Sequence, residues 1–134
     1  MKSKLTFKKI MRIGALAAIA STVINSILFY LFHAAGIITD NIEIQPGQPM
    51  TIVPIILSSV VASLFGACVY YPFERFSKNG LKIFSIVAII MLLLSMGNPF
   101  VGIPKVTTGY ALALDLMHFP VAFFLLFFLK QAKK

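Results

Sequence analysis

TIVPIILSSVVASLFGACVYY, Thr51–Tyr71, has no Asp, Glu, Lys or Arg from end to end. A helix of roughly 20 apolar residues crosses the hydrocarbon of a bilayer, and this stretch has that length. Outward from it, three further apolar stretches stand at Ile13–His33, Leu81–Gly97 and Gly109–Leu129. Together they predict an all-α, four-helix transmembrane bundle as a single integral membrane domain over residues 1–134.

Composition leads the same way. Hydrophobic residues make up 59% of the chain and charged residues 12%, the latter about half the share usual in soluble domains. A soluble chain of 134 residues could not hide so much apolar surface, because its surface-to-volume ratio is too high. The net charge of +8 sits in segments that flank the apolar runs, so membrane topology accounts for it and nucleic-acid binding is not expected.

Orientation follows from where the basic residues fall. Lys2, Lys4, Lys8, Lys9 and Arg12 precede the first span. Arg75, Lys78 and Lys82 lie between the second and third, and Lys130, Lys133 and Lys134 follow the fourth. The other two loops hold only Lys105. The positive-inside rule therefore puts the N- and C-termini in the cytoplasm. The N-terminal segment resembles a secretory signal, with Ala18-Ile-Ala20 similar to a cleavage site. The apolar run continues through Phe32, however, so an uncleaved first span is expected. The basic segment before it is suited to anionic lipid.

The first outer loop, Ala34 to Met50, carries a Pro46-Gly47 turn signal and an alternating Ile42-Glu-Ile44. Pro49 suits the start of the second helix, where a missing N–H costs little. Thr107 or Thr108 can cap the fourth helix. The single cysteine, Cys68, permits no intrachain disulfide or cysteine zinc site and reads as a small buried packing residue. Tyr70 and Tyr71 suit an interfacial aromatic belt. Glu74 and Arg75 read as a solvated helix end.

Polar residues inside the spans carry the functional question. By helical rise, Asn25 lies about 18 Å from the inner end of the first span, in the outer half of the bilayer. Ser58, Ser59, Ser95, Asp115 and His118 fall at comparable depth in the other three. Ala17, Ser21 and Asn25 share a face of the first helix. Ser58, Ala62 and Gly66 form one small-residue row on the second helix, and Ser59, Ser63 and Ala67 the next. Ser85, Ala88, Leu92 and Ser95 align on the third; Ala111, Asp115, His118 and Ala122 align on the fourth. Small residues let helices approach closely in lipid, and polar residues turn inward. A tight left-handed bundle with a polar patch in its outer half is expected. Pro120 is expected to kink the fourth helix and free the Leu116 carbonyl.

Asp115 is costly at about +3 kcal/mol on insertion scales for a central position. It reads either as a structural hydrogen-bonding residue or as a group that handles protons, cations or a polar ligand. His118 is either a hydrogen-bonded core histidine or a ligand contact. His33 lies nearer the outer surface, among headgroups and water. No metal site and no cofactor is expected. A serine–histidine–aspartate set would have to be assembled from Ser58 or Ser59, His118 and Asp115.

The chain resembles a family of small bacterial four-span membrane proteins known as a domain of unknown function. The resemblance rests on Val23-Ile-Asn25, Phe32-His-Ala-Ala-Gly36, the Pro-Gly loop and Met50-Thr-Ile-Val-Pro54. Leu94-Ser95 with a following proline, and Leu116-Met-His118, complete it. Asn25, Ser95 and His118 match its pattern; Asp115 does not. The resemblance implies fold and topology and no activity.

The resulting expectation is a multi-pass protein of the bacterial cytoplasmic (inner) membrane. It would be a non-enzymatic interaction or ligand-contacting module whose polar pocket comprises Asn25, Ser58, Ser59, Ser95, Asp115 and His118. A proton- or cation-coupled solute transporter acting as an oligomer, and an intramembrane hydrolase, are the alternatives. The expected partners are the lipid bilayer and a second copy or another membrane protein.

Overall fold

The computed structural model describes residues 3–134; Lys2, counted above, lies outside them. In chain order the elements are α1 (Phe7–Ala34), β1 (Glu43–Gln45), β2 (Gln48–Pro49) and α2 (Ile52–Phe76). They continue with α3 (Gly80–Ser95), α4 (Asn98–Gly102), α5 (Thr108–Leu116) and α6 (His118–Ala132). Four helical stretches, Phe7–Ala34, Ile52–Phe76, Gly80–Gly102 and Thr108–Ala132, are long and apolar enough to cross a membrane. Large apolar side chains such as Leu16, Ile19, Phe65 and Leu94 stand on their outer faces, as a lipid solvent permits and water does not. The chain is a small multi-pass membrane protein built as a helix bundle.

The helices overrun the apolar stretches because a helix does not stop where hydrocarbon does. α1 begins at Phe7, where the Thr6 hydroxyl accepts the Lys9 backbone N–H at 3.2 Å, an N-cap bond. Long basic side chains such as Lys8 and Lys9 can lie beside the lipid while their charged ends reach water.

α1 packs along α2 and α6. Its buried residues, among them Ile10, Gly14, Ala17, Ser21, Asn25 and Phe29, recur every three or four positions, the period of one helix face. The approach to α2 is close: a Cβ on Gly14 would stand 2.6 Å from the Ala67 Cβ. On α2 the facing row is Ser59, Ser63, Ala67, Tyr70 and Glu74, all buried.

Two apolar clusters fill the bundle. One gathers Ile10, Ala17, Ala67, Tyr70, Phe84 and Leu129; the other gathers Phe29, Ile38, Ile42, Ile55, Tyr110 and Met117. The second takes two residues from the loop after α1. That loop forms a β1–β2 hairpin around Pro46-Gly47. Gly47 has φ +76° and donates its N–H to Glu43 Oε2 at 2.9 Å. Ile38 and Ile42 point down and close this end of the bundle. Pro49 belongs to β2 and does not start α2; Thr51 is the N-cap and Pro54 occupies the first turn.

The opposite end is held by a carboxylate. Glu74 is 3% exposed and accepts the Leu5 backbone N–H at 2.7 Å, the Tyr70 hydroxyl at 2.6 Å and Lys133 Nζ at 2.8 Å. Glu74 is thus a buried clasp rather than a solvated helix end, and it brings both terminal segments to the same end of the bundle. Tyr70 is fully buried as its donor instead of lying in an interfacial belt. Tyr71 meets Phe7 edge-on at 5.2 Å. Cys68, expected in the core, is exposed on α2 beside Met11: it falls next to the buried Ala67 but one residue round the helix, turned outward.

α3 is attached mainly at this end. Gly80 and Phe84 are its only buried residues. A Cβ on Gly80 would collide with the Phe73 backbone, so glycine permits the short α2–α3 turn. The fourth span breaks at Met117, between α5 and α6. Pro120 explains it: the proline ring and its missing N–H disturb the turn that precedes it.

Candidate functional site

Between the two apolar clusters lies a polar layer on the α1–α2 seam. Asn25 Nδ2 donates to Ser59 Oγ at 2.9 Å, and the Ser21 and Ser63 hydroxyls lie 3.3 Å apart. All four residues are buried. Interhelical bonds of this kind are worth about 0.6 kcal/mol on average in a membrane.

The neighbouring row of α2 turns elsewhere. Ser58, Ala62 and Gly66 face a cavity of about 730 Å³ between α2, α3 and the α5–α6 helix. From α3 it is lined by Ala88, Leu92 and Ser95, and from the fourth span by Leu114, His118 and Ala122. Asn25 and Ser59 reach its wall from the seam, and Met50, Asn98 and Ile103 stand at the hairpin end. The cavity exists because α3, pinned near Gly80 and Phe84, buries no residue beyond them. The bundle is tight along α1–α2 and open along α3.

The lining is mainly apolar, and three of its polar groups are committed in one direction. Ser58 donates to the Ile55 carbonyl at 3.1 Å, and Ser95 donates to the Leu92 carbonyl at 2.7 Å. His118 Nδ1 lies 2.9 Å from the Leu114 carbonyl. A carbonyl only accepts, so Nδ1 carries the hydrogen, and Nε2 of the neutral ring is left as an acceptor. Among the described residues, no lysine or arginine lines the cavity.

Five of the six expected site residues, Asn25, Ser58, Ser59, Ser95 and His118, therefore line one cavity. Asp115 does not line it. It lies on α5, before the break, while His118 begins α6. Asp115 is 6% exposed and its Oδ1 has no hydrogen-bond partner. Asn25 Oδ1 and the Tyr110 hydroxyl are likewise buried without a partner. His33 meets Asp40 of the following loop at 3.1 Å, at the exposed surface. Among the described residues, no group of three or more His, Cys, Asp and Glu side chains is close enough to hold a metal ion.

Glu74 is a buried polar residue outside the expected site. A signal for it exists: the row Ser59, Ser63, Ala67 continues at three- and four-residue steps to Tyr70 and Glu74.

The chain belongs to a family of unknown function, DUF6069, whose pattern matches residues 6–134. No curated protein and no solved structure matches it.

Proposed function

We propose that this member of the family is a non-enzymatic ligand-contacting protein of the bacterial cytoplasmic membrane. Its cavity receives a small amphiphile from the lipid, and the head of that amphiphile bears a hydroxyl or amine. The single observation that carries this reading is the cavity of about 730 Å³ lined by Asn25, Ser58, Ser59, Ser95 and His118. Small-molecule sites are typically about 300–1,000 Å³, mainly apolar, with a few polar groups that set orientation. Ser58 Oγ, Ser95 Oγ and His118 Nε2 offer lone pairs and no free hydrogen, which favours a hydrogen-bond donor. The absence of a lining cation gives a phosphate or carboxylate head nothing to pair with.

By the positive-inside rule the basic residues support a cytoplasmic terminal end, and the polar groups of the cavity then lie toward the outer side. Transport coupled through a carboxylate would need Asp115 on the pathway, and Asp115 does not line the cavity. Hydrolysis needs a serine beside a base, and the hydrogen bond of the His118 ring is to the Leu114 carbonyl and not to a serine.

The test uses a pyrene-labelled monoacylglycerol and the full chain in nanodiscs. Saturable binding is expected, with loss in both Ala62→Phe and Ala88→Phe, which fill the cavity from two sides. Binding that does not saturate, or that survives both substitutions, overturns the reading. Circular dichroism of each variant separates filling from misfolding.

A further inference from the structure

The terminal end of the bundle carries a second concavity, independent of the cavity above. It has a volume of about 520 Å³ and lies where α3 passes the end of α6. Its rim holds four lysines, Lys78, Lys82, Lys130 and Lys133, and its floor runs onto Ile86 and Ile89. Both isoleucines are about half exposed, at 51% and 50%, on the outer face of a membrane span.

Charge at this end is unbalanced. The chain has only four acidic residues. Asp40 and Glu43 belong to the hairpin loop and Asp115 to α5. Glu74 alone is near, and Lys133 already occupies it at 2.8 Å. Among the described residues, Lys78, Lys82 and Lys130 form no ion pair with an acidic side chain. Three uncompensated ammonium groups thus ring the mouth of a groove whose next turn is bare hydrocarbon-facing isoleucine.

We infer that this groove is a binding site for an anionic phospholipid, its phosphate among Lys78, Lys82 and Lys130 and an acyl chain along Ile86 and Ile89. A soluble anion would use the lysines and leave the isoleucines unused, whereas a lipid uses both. Basic pockets between spans at the cytoplasmic face are suited to such headgroups. Lys133 stays with Glu74 and shapes the rim without supplying free charge.

A phosphatidylglycerol with a diazirine on its acyl chain, in phosphatidylcholine nanodiscs holding the full chain, tests the site. Adducts are expected on the Ile86–Ile89 face of α3. Near a membrane surface each lysine is worth about fivefold in association. Lys78→Gln, Lys82→Gln and Lys130→Gln together should therefore cut the adducts by at least about tenfold once salt screening is allowed for. The matched set Lys4→Gln, Lys8→Gln and Lys9→Gln removes the same charge elsewhere and should leave them. Equal loss in both sets would mean a diffuse basic surface and overturn the site. So would adducts distributed over all four spans, or full displacement by millimolar glycerol phosphate, which would mark a soluble-anion site.

Discussion

The two ends of the bundle each bury a carboxylate, and they treat it oppositely. Glu74 accepts hydrogen bonds from the N-terminal segment, from its own helix and from Lys133. Asp115 is nearly as buried, yet its Oδ1 meets no donor. An acid surrounded by donors from three parts of the chain is a fastening. An acid with an open valence in a low-dielectric interior is a cost that the rest of the fold must offset. Packing follows the same division. Near Glu74 the helices touch backbone to backbone; toward the hairpin end α3 stands off and leaves the cavity.

The sharpest way to break this contrast is to disarm the fastening. Glu74→Gln strands Lys133 and weakens two other bonds, and should destabilise by about 3 kcal/mol. Detergent-to-SDS titration of the folded fraction reads this; an unchanged midpoint would make Glu74 ornamental. Gly14→Val comes next. It forces a side chain into Ala67 and should cost about 2 kcal/mol through overpacking, seen as a lowered Tm with the helix content retained.

Asp115→Asn should move the other way, gaining about 1 kcal/mol because an acid without a full set of donors is replaced by an uncharged amide in the interior. A loss as large as that of Glu74→Gln would erase the distinction between the two acids. Asn25→Ala is the smallest change, at about 0.6 kcal/mol, the usual value of one interhelical bond in lipid. Paired with Ser59→Ala in a double-mutant cycle, it should show coupling of similar size; additivity would mean that the 2.9 Å contact contributes nothing.

The four spans were legible because hydrocarbon imposes a length and excludes charge, so the helix over Thr51–Tyr71 could be recognised, although it runs on to Phe76. The small-residue rows were legible for a related reason. Lipid gives helices no hydrophobic reason to associate, so Gly, Ala and Ser mark where they meet. The two rows on α2 were not separable from sequence, since Ser58 and Ser59 are equally small and polar. Which one packs on α1 and which faces a void depends on how far α3 stands away. On α3 itself, Ala88, Leu92 and Ser95 mark the face that turns to the cavity, but they do not encode how far away that face stands. Glu74 was misread because the charge beside it, Arg75, is solvent-exposed, and a position near the end of a span can face either water or a neighbouring helix. Asp115 and His118 sit three apart, yet the break at Met117 takes His118 to the cavity and leaves Asp115 off its wall.

The Glu74 fastening also bears on the order of biogenesis. Its three donors come from Leu5, Tyr70 and Lys133, so a nascent chain that has threaded only two spans holds an acid still waiting for a cation. That bond can close only after the last span has left the translocon. The terminal end of the molecule therefore matures late, and until then the α1–α2 hairpin must survive insertion on its small-residue seam and the Leu5 and Tyr70 bonds to Glu74.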